Sequence, residues 1–184
     1  MLMDTPDEML ARAAAQGDRA AFATLVARHY DRLHGFCWRL TGSRTEAEDL
    51  TQDICAALPA KLALFRGEAR VTTWLYRVAV NAAHDRRRRR ATYMKATDGW
   101  GDWELARADM AEEERAQLDW LTAAMRQLPE DLRDTLALVL DDLTHAEAGA
   151  ILGISEGTVS WRISEAKKRL RAIRAMDVRG EVMK

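Results

Sequence analysis

Long apolar segments are absent from this chain, and their absence excludes several classes of protein. No apolar run approaches the ~20 residues that a membrane-spanning helix needs. The N-terminal stretch MLMDTPDEML is acidic, whereas a secretory signal is basic and then apolar. We therefore expect a protein that does not insert into membranes and that stays in the cytoplasm.

Cysteine, proline and glycine are also scarce. The chain has 184 residues and only two cysteines, Cys37 and Cys55, whose spacing indicates neither a disulfide framework nor a zinc site. Three prolines and ten glycines leave long stretches without helix breakers. No strand-like alternation of apolar and polar residues is visible. The sequence therefore predicts an all-α fold.

Catalytic motifs are missing as well. The chain contains no P-loop, no nucleophile motif and no paired acid and base, so we expect neither an enzyme nor a cofactor. A metal- or redox-responsive protein is a weak alternative, because His29, His34 and Cys37 lie on one predicted helix. No second cluster completes a ligand set, and the apolar neighbours of Cys37 favour a buried packing role. We therefore predict no metal site.

Charge is nearly balanced overall, at −1, but it is distributed in blocks. Residues 86–90 are five consecutive arginines, and residues 162–174 carry a net charge of +5. Residues 98–114 carry −6, and residues 46–53 contain four acids. Blocks of this kind predict separate surfaces or separate partners.

The stretch LTHAEAGAILGISEGTVSWRISEAKKRL has the pattern of a helix-turn-helix. Thr144 and Glu147 have the spacing of a capping box at the start of the first helix. Gly153 suits the turn, and Ser155 can cap the second helix. A basic helix after a tight turn is typical of proteins that place a helix in the DNA major groove.

The outer face of this second helix is the predicted DNA-reading surface. Its expected DNA contacts are Thr158, Trp161, Arg162, Glu165, Lys167, Lys168 and Arg169. Arg162 is the best candidate for a bidentate contact to guanine. Trp161 is expected to be exposed, and would pack on a thymine methyl, on the sugar-phosphate backbone or against a protein partner. Glu165 either alters base preference or pairs with Lys168 or Arg169 on its own helix.

Four helices are predicted in the N-terminal half from caps and apolar periodicity. The first begins at Thr5 and Pro6, the second runs from its cap Asp18 to Thr41, the third begins at Thr45 with Glu48, and the fourth begins at Thr72 or Thr73 and ends in the arginine run. Pro59 is expected to kink or end the third helix.

Three sequence blocks, taken in order, resemble a bacterial sigma factor of the extracytoplasmic-function type. The blocks are RLTGSRTEAEDLTQDI, FRGEARVTTWLYRVAVNAAHDRRRRR and LPEDLRDTLALVLDDLTHAEAGAILGISEGTVSWRISEAKKRLR. The helix-turn-helix alone is weakly specific, but all three blocks in this order are far more specific. The resemblance implies a transcription initiation factor that binds core RNA polymerase, directs it to promoters, assists DNA opening and is controlled by an anti-sigma factor.

The resemblance also implies a domain organisation. It predicts a region 2 domain over residues 1–92, an acidic linker over 93–116 and a region 4 helix-turn-helix domain over 117–184. The acidic linker could also lie over basic surfaces of the free protein as a mild autoinhibitor.

Site residues in the N-terminal half follow from the same resemblance. Asp49, Gln52 and Asp53 share one helix face, and the resemblance implies that this face binds the polymerase. The residues implied for the downstream promoter element are Phe65, Arg66, Arg70, Arg77, Asn81, Arg86, Arg87 and Arg88. Trp74 is expected in the core rather than as a base-stacking platform.

Two positions depart from the family pattern. The family commonly has a basic residue where this chain has Glu165, and a small alanine where it has Gly149. The main alternative function is a stand-alone helix-turn-helix regulator that binds duplex DNA as a dimer. Such a regulator needs a dimerisation surface and has no use for the acidic face, so binding to core polymerase discriminates the two.

Overall fold

The computed structural model describes residues 4–96 and 116–182, and every regular element within them is a helix. The helices are α1 Asp7–Ala15, α2 Arg19–Thr41, α3 Arg44–Leu62, α4 Val71–Ala96, α5 Ala116–Arg126, α6 Glu130–Leu140, α7 His145–Leu152 and α8 Glu156–Val182. The all-α prediction is thus confirmed. Most of the predicted acidic linker, with the autoinhibitory role suggested for it, lies outside the described residues.

Local capping chemistry sets the helix boundaries in the N-terminal half. Asp18 Oδ1 accepts hydrogen bonds from the amides of Ala20 and Ala21 at 2.9 and 3.0 Å, as predicted. The predicted cap at Thr5 is wrong, because α1 begins one residue later and the carbonyl of Pro6 accepts its first helical bonds. The cap predicted at Thr45 is also wrong, because Ser43 caps α3.

Two helices run further than the sequence predicted. Pro59 neither ends nor divides α3, which continues to Leu62. The buried side chains of Leu58 and Leu62 hold the helix on both sides of the proline, so packing outweighs the hydrogen bond that proline removes. Helix α4 passes through the arginine run to Ala96.

Helices α1 to α4 form one core in the N-terminal half. Phe36 of α2 is fully buried, and its ring centroid lies 4.6 Å from that of Tyr76 on α4. Leu50 and Ile54 supply the buried face of α3. This core holds the opposite, polar face of α3 on the surface.

The helix-turn-helix consists of α7 and α8, and its predicted caps are confirmed. Thr144 and Glu147 form both hydrogen bonds of the capping box. Gly153 ends α7 in the left-handed conformation, with φ of 68°. The amide of Thr158 donates to Ser155 Oγ at 3.1 Å, which caps α8.

The two halves of the chain pack against each other. Helix α2 contacts α5 and α6, and α4 contacts α7. Gly42, at the C-terminus of α2, comes so close to α5 that a Cβ there would lie 2.7 Å from Cβ of Arg126. The helix-turn-helix is therefore held against the N-terminal bundle. None of the described helices is long and apolar enough to cross a bilayer.

Candidate functional surfaces

The acidic face predicted to bind polymerase lies on α3. Asp49, Gln52 and Asp53 are all exposed, and Leu50 and Ile54 on the other side of the helix are buried. The structure therefore brings the three predicted residues together on one accessible surface.

The arginine run lies against this acidic face. Arg86 places one guanidinium nitrogen 2.9 Å from Asp49 and another 3.2 Å from Asp53. Arg90 contacts Glu46 at 2.7 Å. The sequence predicted separate surfaces or separate partners for the charge blocks. These two blocks do not form separate surfaces, because α3 and α4 are neighbours and their opposite charges pair.

Arg87 lies between the two halves of the chain. Its guanidinium donates two hydrogen bonds of 2.7 Å to the carboxylate of Asp134 on α6, and a third of 2.9 Å to the carbonyl of Leu40. Only 19% of its side chain is exposed. The side chain predicted to contact DNA is thus engaged within the protein, whereas Arg88 is largely exposed and pairs with Asp85.

Asp134 is a buried carboxylate that the sequence analysis missed. His84 Nε2 lies 2.8 Å from its Oδ2, which also accepts one of the two bonds from Arg87. Burial raises the pKa of Asp134, but hydrogen bonds from Arg87 and His84 outweigh it and hold this pKa below its ordinary value. The carboxylate therefore stays ionised and joins the two halves.

Asp141 makes a second connection of the same kind. Its buried carboxylate pairs with Arg39 of α2, and Arg32 donates to its backbone carbonyl at 3.0 Å. A signal was present in the sequence, because Asp134 interrupts an apolar stripe and buried carboxylates are nearly always paired. The partners of these two carboxylates could not be predicted from the sequence.

The predicted downstream-element residues lie along the loop before α4 and on α4 itself. Phe65 and Trp74 pack together with ring centroids 5.2 Å apart, and both contact the core, as expected for Trp74. Arg66, Arg70 and Asn81 are exposed.

Arg77 also lies on this surface. It is exposed, and its guanidinium reaches the carbonyl of Ala150 on α7 at 3.5 Å. In the packed arrangement the downstream-element surface therefore adjoins the helix-turn-helix.

The predicted recognition face of α8 is divided between exposed and engaged side chains. Val159 and Ile163 are buried, as predicted, and 62% of Trp161 is exposed. Lys167 and Lys168 are exposed, whereas Thr158 is half-buried beside Ser155.

Glu165 and Arg162 on this helix contact other residues of the chain. Arg169 donates to Glu165 at 2.9 Å and thereby lowers the pKa of that carboxyl. This pair is one of the two alternatives that the sequence offered. The Arg162 guanidinium lies 3.5 Å from Asp131 Oδ2 and 3.5 Å from Thr135 Oγ1 on α6. The best candidate for guanine readout is therefore turned toward the protein.

The residues considered for a metal site have other surroundings. His29 contacts Asp7 at 2.8 Å, and His34 stacks on Tyr30. Cys37 is buried, and desolvation raises the pKa of its thiol to about 11. Within the described residues, no three His, Cys, Asp or Glu side chains are grouped to hold a metal ion.

Comparison with known proteins identifies the family. Residues 25–93 match Sigma-70 region 2, and residues 118–170 match Sigma-70 region 4. The RNA polymerase sigma-H factor of Pseudomonas aeruginosa is 31% identical over 182 residues, which cover 92% of this chain and 94% of that protein. The chain belongs to the RNA polymerase sigma factors. The ECF sigma factor SigW of Bacillus subtilis is 31% identical and covers 85% of this chain and 90% of its own length, which places the chain in the extracytoplasmic-function type.

Solved structures agree with this assignment. CnrH in complex with the cytosolic domain of CnrY has a TM-score of 0.66 at 28% identity, and covers 93% of this chain and 98% of that chain. RpoE bound to the anti-sigma factor NepR of Bartonella quintana has a TM-score of 0.69 at 23% identity, over 85% of this chain and 98% of that chain, and supports the fold.

Family membership establishes the general role of this sigma factor. It is a transcription initiation factor that acts with core RNA polymerase at promoter DNA. This is the main function that the sequence predicted, and the stand-alone regulator is the weaker alternative. Sigma factors are not catalytic enzymes.

Proposed function

We propose that this sigma factor rests in a closed form and binds core polymerase through Asp49, Gln52 and Asp53 once its halves separate. The closed form rests on the contact of Arg87 with Asp134 across the two halves. The role of the acidic face rests on the position of Arg86, which contacts both of its aspartates. In this proposal region 2 spans residues 1–92 and region 4 spans 117–184. The protein works in the cytoplasm and has no catalytic activity of its own.

Replacement of Arg86 by a polymerase residue at the acidic face should cost little free energy. Asp49 and Asp53 are more than half exposed, and ion pairs at exposed positions contribute only about 0–1 kcal/mol. A basic surface of the polymerase can therefore replace Arg86 at little cost. The released arginine then becomes available to promoter phosphates, together with Arg88.

The promoter surfaces divide between the two halves. We assign the downstream element to α4 and its preceding loop, through the predicted residues from Phe65 to Arg88. We assign the upstream element to α8, where Trp161, Lys167 and Lys168 are exposed. Arg162 must leave Asp131 before it reads a base, so readout of the upstream element includes a side-chain rearrangement.

Control by an anti-sigma factor is part of this proposal. CnrH and RpoE were both solved with a protein partner, and the partner of RpoE is named as an anti-sigma factor. We propose a partner of that kind here, with exposed Trp161 as one contact. Trp100 and Trp103 are further candidate contacts, and they lie outside the described residues.

Run-off transcription with core polymerase tests the role of the acidic face. The variant replaces both carboxylates, Asp49→Lys with Asp53→Lys, and we expect promoter-specific transcripts to fall at least about tenfold. The matched control is Asp31→Lys on the exposed surface of α2, which should leave transcription unchanged. Equal transcription by the double variant and the control would remove the acidic face from the account.

A further inference from the structure

A cleft of about 390 Å³ lies between the two halves. Helices α2, α3 and α4 form one side of it, and α5 and α6 contribute to the other. Its arginines are Arg86, Arg87, Arg90, Arg126 and Arg133, and its carboxylates are Glu46 and Glu130. The volume lies in the range of small-molecule sites.

Most of these arginines already have partners in the chain. Arg86 contacts Asp49 and Asp53, Arg87 contacts Asp134, and Arg90 contacts Glu46. Those pairs neutralise part of the positive charge of the cleft. None of them includes Arg133.

Arg133 is the exception on which the inference depends. Only 8% of this residue is exposed, and its buried Nε has no hydrogen-bond partner among the described residues. Within the same residues, its one hydrogen bond goes to the carbonyl oxygen of Arg126, at 3.5 Å. No carboxylate among the described residues lies within ion-pair distance of it. Desolvation and the nearby charge of Arg87 lower its pKa, and the more distant carboxylates of Asp134, Glu130 and Glu46 offset this only in part.

A buried guanidinium without a counter-ion is costly, because desolvation penalises the charge and no ion pair compensates. Phosphate groups offer several acceptor oxygens and match the forked geometry of arginine. We propose that the cleft binds a small phosphate-bearing anion, with Arg133 as its central ligand and Arg90 and Arg126 at its sides. The cleft is too small for duplex DNA, so the ligand is a compound of the size of pyrophosphate or a nucleotide.

Binding of such an anion favours the closed form, because both halves line the cleft. A ligand that binds only one conformation shifts the equilibrium toward it. The anion should therefore weaken binding of core polymerase, and this consequence rests on the function proposed above. The binding site itself does not, because it can be measured without polymerase.

Calorimetric titration of the full chain with pyrophosphate in chloride buffer tests the site. Arg133→Met keeps the aliphatic volume and removes the charge, and we expect at least roughly tenfold weaker binding. Arg90→Gln removes a more exposed ligand and serves as the second variant if Arg133→Met does not fold. The matched control, Arg89→Gln, removes the same charge from the same helix at an exposed position that does not line the cleft. It should bind within about twofold of wild type.

Two results of the pyrophosphate titration would overturn the inference. Absence of pyrophosphate binding would do so, as would equal losses in the cleft variants and in Arg89→Gln, since these indicate general attraction to the arginine run. A competition experiment with a short single-stranded oligonucleotide tests whether nucleic acid supplies the phosphate. If it displaces pyrophosphate from the cleft, the phosphate comes from nucleic acid and the small-ligand proposal is wrong. A chain that binds pyrophosphate but supports no transcription would refute the proposed function alone.

Discussion

Arg86 and Arg162 show how the functional side chains of this sigma factor are engaged within its own fold. Arg86 contacts Asp49 and Asp53, and Arg162 lies near Asp131 and Thr135. The contacts of Arg86 are exposed and those of Arg162 are long, so both are weak compared with buried ion pairs. Each side chain is held in place at low cost until a partner replaces its contacts.

Removal of Arg86 should expose the acidic face to polymerase. We expect Arg86→Ala to bind core polymerase about two- to fivefold more tightly than wild type in the absence of DNA, because the competing cation is gone. Fluorescence anisotropy with labelled sigma factor measures this affinity. Arg89→Ala serves as the control because Arg89 belongs to the same run. Equal affinity for wild type and Arg86→Ala would show that Arg86 does not compete with polymerase.

Glu165 should weaken the attraction of α8 for DNA. Its carboxylate binds Arg169 at 2.9 Å, so Glu165→Gln frees that arginine and removes a charge that repels phosphate. We expect tighter binding to upstream-element DNA and a plot of log affinity against log salt that is steeper by about one unit. Titrations at several salt concentrations provide the slope. An unchanged slope would mean that neither residue faces phosphate.

Local residue contacts were predictable from sequence, whereas distant ones were not. The capping box of Thr144 and Glu147 involves neighbours three residues apart, and it was found from spacing alone. Arg87 and Asp134 are 47 residues apart, and spacing says nothing about such a pair. The sequence suggested DNA for Arg87 because a run of arginines carries no information about which member turns inward.

The helix-turn-helix depends on a close approach at its turn. A Cβ at Gly149 would lie 2.8 Å from the carbonyl oxygen of Ile154, which is backbone and cannot easily move. The departure from alanine seen in the sequence therefore matches a specific steric need of this turn. A glycine in α7 costs helix propensity, and the tight packing of the turn compensates for it.

Substitution of Gly149 should destabilise this element. We expect Gly149→Ala to lower the free energy of unfolding by about 1–3 kcal/mol through overpacking. Gly157 is the matched control, because a Cβ there would lie 3.9 Å from its nearest neighbour, Ser155 Oγ. Gly157→Ala should be neutral or stabilising by up to about 1 kcal/mol. Urea denaturation measures the free energy of unfolding of both variants. Similar losses in Gly149→Ala and Gly157→Ala would contradict the steric explanation.

The sequence located some helices correctly and misplaced the ends of others. The apolar periodicity located α2 correctly, since its stripe extends over many turns. Pro59 was expected to kink or end α3, but buried leucines on both sides outweigh the lost hydrogen bond and the helix continues to Leu62. Helix α4 was expected to end in the arginine run, but it continues to Ala96, and arginines of the run pair with acids on α3 and α6.

The molecule as a whole is held closed by two buried carboxylates of the C-terminal half. Asp134 contacts Arg87 and His84, and Asp141 contacts Arg39. Sequence analysis predicted two helical domains but not their packing, because these pairs span more than 40 residues of sequence. The contacts of Asp134 with Arg87 and His84, and of Asp141 with Arg39, together form a latch between the two halves.

Acid should release this latch only at low pH. The pKa of Asp134 is lowered in the folded protein. A lowered carboxyl pKa contributes stability that is fully present above the ordinary value of 3.8, and this stability is lost as the pH falls through the lowered value. Small-angle scattering from about pH 8 to pH 3 should therefore show a constant radius of gyration down to about pH 4 and expansion below it.

The control for this titration is Asp134→Asn. It lacks the titrating carboxylate, so it should be more expanded throughout and show a weaker acid transition. Expansion of the wild-type protein near pH 6 would contradict the assignment, because Asp134 remains ionised there.

Energy transfer between dyes on the two halves most directly tests whether this sigma factor opens when it binds polymerase. Non-natural amino acids at positions 31 and 167, which are both exposed, carry the donor and acceptor. We predict high transfer efficiency in the free protein and a clear fall when core polymerase is added, with no fall in the Asp49→Lys, Asp53→Lys variant. Equal efficiency in wild type with and without bound polymerase would show that polymerase does not release the closed form.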